Sequence, residues 1–539
     1  INSSTFSLGN AGQVSVNSQD ISIDGSDSSI GSNANANSTG NAGSIEVSTN
    51  HLKITNGGSI NSGTSSSGNA GSVSVDAQKI LVDGQNNPTS VTGISTSTNG
   101  GSGIAGQVTI NTKELTILNT GEIGSNSFGA GSGGSVQINS NTINIDGKGS
   151  ADNRFTGISS NVTAQGNAGN LLLNAKAITL SEKGRIQANT RGAGQGGNVT
   201  INSDELNING NNNSTFTGIA SNTFAQGDAG VVSVNAKNIT IENAGRITTN
   251  TRGLGKAGNL QVSANILNID AKNSVYLAGI AAAASPESGG EIGNIEVKTN
   301  QLAISNGGQI SIQNRAQIAH PETIKAGTIS IQARDIALDH GLINAQSTGN
   351  VDASNIQAQI SNSLRMNFSS VSMQAQSGNG GNVLMNTGLC IDLQHSSITT
   401  SVLSAAGNGG DITVSTPNLV LDNGAVQANA VSGYGGDVFI DVKDLVGSQS
   451  LMQVGGAKPL LWNGNTPDLN IIQAASQYGL SGNVKVTSPQ VNLSGVLFAL
   501  NTTPFDSNML RQDFCALGVG STLTPKGLGA LPRKPSELF

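Results

Sequence analysis

Two carboxylates, Asp411 and Asp437, each close the same kind of phrase: Gly407-Asn408-Gly409-Gly410-Asp411 and Gly433-Tyr434-Gly435-Gly436-Asp437. Two acids held about 5–9.5 Å apart can hydrolyse a glycosidic bond. If successive copies of the phrase stack, these two side chains come near each other. Other copies carry Asn198 or Asn382 at the same place, so the position accepts polar residues generally and reads as a solvated turn. Asp228, Asp411 and Asp437 sit beside glycines, but the regular Gly/Asp spacing of calcium-binding nonapeptides is absent. The four histidines, His51, His320, His340 and His395, lie at unrelated places in the chain without ligand partners at metal spacing. No G-x-S-x-G elbow leads into a helix. No catalytic, cofactor-binding or metal-ligating residue is assigned, and no cofactor is expected.

Four arginines are better placed for binding. Arg185 and Arg246 are 61 residues apart, as are Arg191 and Arg252. A basic stripe of this kind can contact acidic polysaccharide, although duplication of a solvated residue gives the same spacing. Phe155 and Phe216 stand three residues before Ile158 and Ile219, with Val91 and Leu277 at the matching places. They are candidates for an aromatic rail that stacks on sugars, or for anchors of a loop on the core. These six residues are the candidate ligand contacts.

What positions them is a repeat. Each copy has an apolar pair such as Ile45 and Val47, then a second pair, Leu52 and Ile54. A turn at Asn56-Gly57-Gly58 follows, then a third segment around Ile60 and a corner, Gly68-Asn69-Ala70-Gly71, before Val73 begins the next copy. Alternation within segments predicts strands, and Gly-Asn clusters predict turns. The third strand recurs at Ile1, Ile30, Ile60, Ile94, Ile123, Ile158, Ile186, Ile219, Ile247, Ile280, Ile310, Ile343, Val371, Ile398, Val426 and Ile472. The step from third strand to the next first strand is repeatedly 13 residues, as in Ile60 to Val73 and Ile247 to Leu260. Insertions therefore fall on one edge, between the second and third strands. Longer loops, Asp83 to Gly93, Asp146 to Gly157, Asn209 to Gly218 and Asp270 to Gly279, occur in every other copy, giving a two-coil super-repeat to about residue 310.

Strands of three to five residues gain stability by stacking on their equivalents 4.7–4.9 Å away. The predicted fold is all-β: a right-handed parallel β-helix, a three-sided β-solenoid of about 16 coils, spanning residues 1–500. Sixteen coils make a rod of roughly 75 Å. The pattern loosens in an irregular insertion at about 447–470, which holds Trp462. A proline- and glycine-containing tail covers 501–539. Insertion and tail are the expected cover for the open end of the coil, with Trp462 and Phe498 packing there. Two cysteines, Cys390 and Cys515, are too few for a disulfide framework, and two free thiols are the default.

The net charge of −7, from 33 acidic and 26 basic residues without blocks, gives no phosphate-tracking surface, so nucleic acid is not an expected partner. No apolar run reaches the roughly 18 residues of a membrane span. The chain starts at Ile1, in the middle of a coil, and reads as part of something longer.

The Gly-Asn-Ala-Gly phrases, the segment Ser488-Pro489-Gln490-Val491-Asn492-Leu493-Ser494-Gly495 and the ending Leu523-Thr524-Pro525-Lys526-Gly527-Leu528-Gly529-Ala530-Leu531-Pro532 resemble the C-terminal part of filamentous haemagglutinin-like large exoproteins. These are the passengers of two-partner secretion. The resemblance implies a missing N-terminal domain recognised by an outer-membrane transporter, display at the cell surface or secretion, and adhesion, aggregation or biofilm contacts with cell-surface glycans. The alternative is a β-helical carbohydrate-active enzyme, a polysaccharide lyase or glycosidase. An ice-binding solenoid is a third reading, suggested by Thr96-Ser97-Thr98 and Thr248-Thr249 but interrupted at Ile280-Ala281-Ala282.

Overall fold

A computed structural model describes residues 1–488 apart from 86, 88, 89, 405, 406, 449, 450, 463 and 465–468. The chain divides into Ile1–Ser488 and Pro489–Phe539. The second unit, with Val491, Phe498, Cys515 and the tail motif, lies outside the described residues.

The first unit is a parallel β-helix. Its strands form two parallel sheets, one of 19 strands and one of 16. The 16-stranded sheet stacks the third strands: Ile30 pairs with Ile60, Ile60 with Ile94, Ile94 with Ile123, and the register continues to Val426 and Ile472. Ile1 joins this column through the bridge of Asn2 to Gly31. The 19-stranded sheet holds the first and second strands together, because in most coils they are one strand. Ile45–Thr55 is 11 residues long, and its in-out alternation is reset by two adjacent exposed residues, Asn50 and His51. The ladder continues across this bend, from Thr49–Ala77 to His51–Lys79. A polar pair is enough to turn the chain without ending the strand. The core is one continuous column of buried Ile, Leu and Val running through the coils.

The corners show why the sequence repeats as it does. Between second and third strands the short coils use left-handed residues, such as Asn56, Asn119, Asn243, Asn306 and Asn423. Asparagine tolerates that conformation better than most side chains. Three of the four long-loop coils enter the third strand through Thr-Gly-Ile, and the fourth through Ala278-Gly279-Ile280. Gly218 has φ +141°, and a Cβ there would sit 1.8 Å from the Arg246 carbonyl oxygen of the next coil. The threonine before it is fully buried, and its hydroxyl accepts the backbone N–H of the preceding short turn. Gly57 N–H bonds to Thr92 at 2.7 Å, Thr120 N–H to Thr156 at 2.8 Å and Lys183 N–H to Thr217 at 2.7 Å. Three long coils thus each cap a short one, which gives those two-coil units a structural reason.

At the Gly-Asn corner, side-chain oxygens accept backbone N–H groups one coil on: Asn10 from Asn41, and Asn41 from Asn69, both at 2.8 Å. Glycine is needed because corners nearly touch; a Cβ on Gly71 would lie 2.1 Å from the Gly43 carbonyl oxygen. Inside, Ser62 donates to the Gly43 carbonyl at 2.6 Å and accepts from Gly71 N–H at 3.0 Å, clamping two successive corners.

The insertion covers the coil differently from expectation. Leu451–Val454 pairs with Leu469–Gln473 as the last strand of the 16-stranded sheet. Residues 458–462 then run back over the outer face of that sheet, where Trp462 lies half-buried.

Candidate functional site

The acidic pair is explained by the corner ladder. Asp411 and Asp437 occupy one column with Asn355 and Asn382. Asn355 accepts from Asn382 N–H, Asn382 from Asp411 N–H, and Asp411 from Asp437 N–H at 2.8 Å. Asp437 in turn accepts the Asn483 N–H at 2.8 Å and the Tyr434 hydroxyl at 2.6 Å. The Asn483 N–H and the Tyr434 hydroxyl hold its carboxyl below the ordinary aspartate range. These carboxylates bond to backbone amides as the neighbouring asparagines do. Asp437, held ionised by these bonds, is a poor general acid.

The four arginines are brought together in two groups. Gly184–Gln187, Thr217–Ala220 and Gly245–Thr251 are successive rungs of the 16-stranded sheet, with Arg185 opposite Gly218 and Gly218 opposite Arg246. Arg185 Nε donates to the Phe216 carbonyl at 3.1 Å. The Arg246 guanidinium lies 5.4 Å from the Phe216 ring centre and donates to the Ser214 carbonyl at 3.4 Å. Burial pushes both guanidinium pKa values down; at Arg185 the nearby Asp152 opposes this. Asp152 itself is ion-paired to Lys183 at 2.8 Å.

At the other end of the same strands, Arg191 and Arg252 lie on opposite sides of Phe224, at 5.4 and 5.3 Å from its ring centre. Each arginine pair therefore spans two coils, about 9.6 Å, and the two groups lie about 20 Å apart along the strand. A guanidinium over an aromatic face is attracted by the ring quadrupole, so Phe216 and Phe224 hold the arginines in place. Phe216 is thus an arginine support, while Phe155 is half-buried and makes no described contact with an arginine.

Phe224 and Arg315 were missed in the sequence. The backbone ladder beyond the third strand, Arg191 N–H to Val162, Phe224 N–H to Thr190, Arg252 N–H to Thr223 and Arg315 N–H to Ala284, sets them in one row. The signal was present: Phe224 follows Ile219 by five residues, as Arg191 follows Ile186 and Arg252 follows Ile247.

The histidines also differ from their sequence reading. His340 and His395 are not at unrelated places: with Phe368 between them, they occupy one left-handed turn position in three successive coils. Their rings stack on Phe368 with centres 5.2 and 4.5 Å apart. His51 pairs with Asp20 and His320 with Glu322. Cys390 is buried and disulfide-bonded, so the default of a free thiol fails there; Cys515 lies outside the described residues. The ice-binding reading fails because Thr96 and Thr249 point inward and break any outward threonine ladder. Thr96 and Thr249 are fully buried, and each donates to a corner carbonyl, Gly106 or Gly258, at 2.6 Å.

Comparison with known proteins finds no matching family model, no matching curated protein and no matching solved structure. Among the described residues no helix is long and apolar enough to cross a membrane.

Proposed function

We propose that this chain is part of a secreted or surface-displayed adhesin, a structural rod of the filamentous haemagglutinin type that mediates adhesion, aggregation or biofilm contacts. The reading includes an N-terminal secretion domain handled by an outer-membrane transporter, on the strength of the sequence resemblance. The observation that carries the binding role is the Arg191–Phe224–Arg252 stack together with Arg246 over the Phe216 ring and Arg185 bonded to the Phe216 carbonyl. These contacts hold four guanidiniums at a two-coil repeat, a geometry suited to an acidic, extended polysaccharide. The bonding of Asp411 and Asp437 to backbone amides favours this reading over glycan cleavage.

The test is glycan-array binding of the purified 539-residue chain, with a calcium-chelated control. Saturable binding to acidic glycans that disappears when Arg185, Arg191, Arg246 and Arg252 are all replaced by Gln supports the proposal. Binding that survives the fourfold replacement refutes the role of the stacks. Released oligosaccharide that vanishes on changing Asp411 or Asp437 favours an enzyme instead.

A further inference from the structure

The outer face of the 16-stranded sheet has a middle column, one residue beyond the inward aliphatic in each rung. Read through the register, it runs Thr248, Ala281, Ser311, Asn344, Ser372, Thr399, Gln427, Gln473. The column contains no ionisable side chain.

At its C-terminal end the column grips the chain's own backbone. Gln473 accepts the Leu460 N–H at 2.8 Å and donates to the Lys458 carbonyl at 2.9 Å. Gln427, one rung away, donates to the Leu460 carbonyl at 2.9 Å. The segment thus crosses the strands and lies along the rod, held through main-chain groups by two side chains 46 residues apart in sequence.

Further along the column, three polar atoms have no hydrogen-bond partner among the described residues: Thr248 Oγ1, Ser311 Oγ and Asn344 Oδ1. Their residues are 5%, 0% and 7% exposed. A buried polar atom without a partner costs about 1–3 kcal/mol, so each such atom needs a reason. Gln309, Gln313 and Gln346, long flexible side chains beside the column, are only half-buried and can swing aside.

We infer that this column is a docking channel for an extended polypeptide, laid along the rod and held by its main chain, with residues 458–460 already seated in its C-terminal end. Thr248 to Asn344 spans three rungs, about 14 Å, the length of about four extended residues. Hydroxyl groups, which both donate and accept, and an amide oxygen suit the alternating N–H and C=O groups of such a chain. A neutral column reads backbone rather than charge. The inference goes beyond the adhesive reading and uses none of its arginines.

The probe is a fluorescent synthetic peptide of the sequence of residues 455–462, Gly-Gly-Ala-Lys-Pro-Leu-Leu-Trp, titrated onto the full chain by anisotropy. Saturable binding is expected, weakened at least tenfold in a Thr248→Val, Ser311→Ala, Asn344→Leu variant. The unfolding temperature of that variant stays level or rises, since unpartnered buried polar atoms are being replaced by apolar ones. A photo-crosslinker at the peptide's first leucine is expected to label Gln309–Asn314 or Leu342–Ser347. Absence of saturable binding, binding unchanged in the variant, labelling elsewhere, or an acidic glycan rather than the peptide losing affinity in the variant would each overturn the inference.

Discussion

Thr217→Val tests the logic of the two-coil unit. Valine matches threonine in shape, is more apolar and favours strands at least as well, so propensity alone predicts a neutral or stabilising change. The structure predicts the opposite. Thr217 is fully buried and its hydroxyl is 2.7 Å from the Lys183 backbone nitrogen, at a turn left-handed at both Glu182 and Lys183. Valine leaves that N–H buried without an acceptor, at a cost of about 1–3 kcal/mol. Thr217→Ser keeps the acceptor and loses one methyl, about 0.8 kcal/mol. Thr92 and Thr156 make the same bond to Gly57 and Thr120. Successive sites are two coils apart, about 9.6 Å, far enough for effects to add, so the triple valine variant should lose about 3–9 kcal/mol. Urea unfolding gives the totals, and amide exchange at Gly57, Thr120 and Lys183 localises them. If valine proves as stable as serine at these sites, the hydroxyl caps are not what couples long coils to short ones.

Glu122→Gln should stabilise the rod at neutral pH. Burial raises the Glu122 pKa, outweighing its bonds from Ser159 and Asn126 and the charge of Arg154. The folded value lies above the unfolded one, so stability falls as pH rises through it, and the gain from glutamine should vanish in acid; thermal unfolding at pH 4 and pH 7 reads both. Asp437 is the reverse case: its folded pKa is depressed, so its contribution is present at neutral pH and lost as acid protonates it. Asp437→Asn keeps an acceptor for Asn483 and should flatten that part of the acid profile, seen as Asn483 amide exchange. Phe224→Ala removes two guanidinium–ring contacts, each about 0.5–1 kcal/mol, and should weaken acidic-glycan binding about five- to thirtyfold; Phe155→Ala should leave it unchanged on the same array.

The fold was legible because its signal is repeated in nearly every coil. One column of Ile and Val, with a corner that is most often 13 residues, is enough to set the third-strand register from Ile30 to Val426. The merging of first and second strands was not legible. A two-residue polar bend such as Asn50-His51 looks like a loop in sequence, although the ladder runs through it. The inward course of Thr96 and Thr249 was also hidden, because buried hydroxyls that clamp glycine corners have the composition of a solvated face.

The candidate site was half legible for a related reason. A spacing search finds residues that recur in the same kind of coil, so the 61-residue interval picked out Arg185 with Arg246 and Arg191 with Arg252. Their supports lie in the intervening coil, where the longer loop changes the count before the third strand. Measured from the preceding arginine, Phe224 is out of step; measured from its own inward Ile219, it holds the same place as Arg191 and Arg252 hold from theirs. The same is true of His340, Phe368 and His395, which follow Leu338, Met366 and Leu393 by two residues each. In a solenoid the meaningful coordinate of a side chain is its offset from the nearest buried aliphatic. Two residues that share an offset in adjacent coils stand about 4.8 Å apart whatever separates them in sequence. Contacts that build a site are then columns, and Phe224 belongs to the arginine column by the geometry that stacks the Ile core.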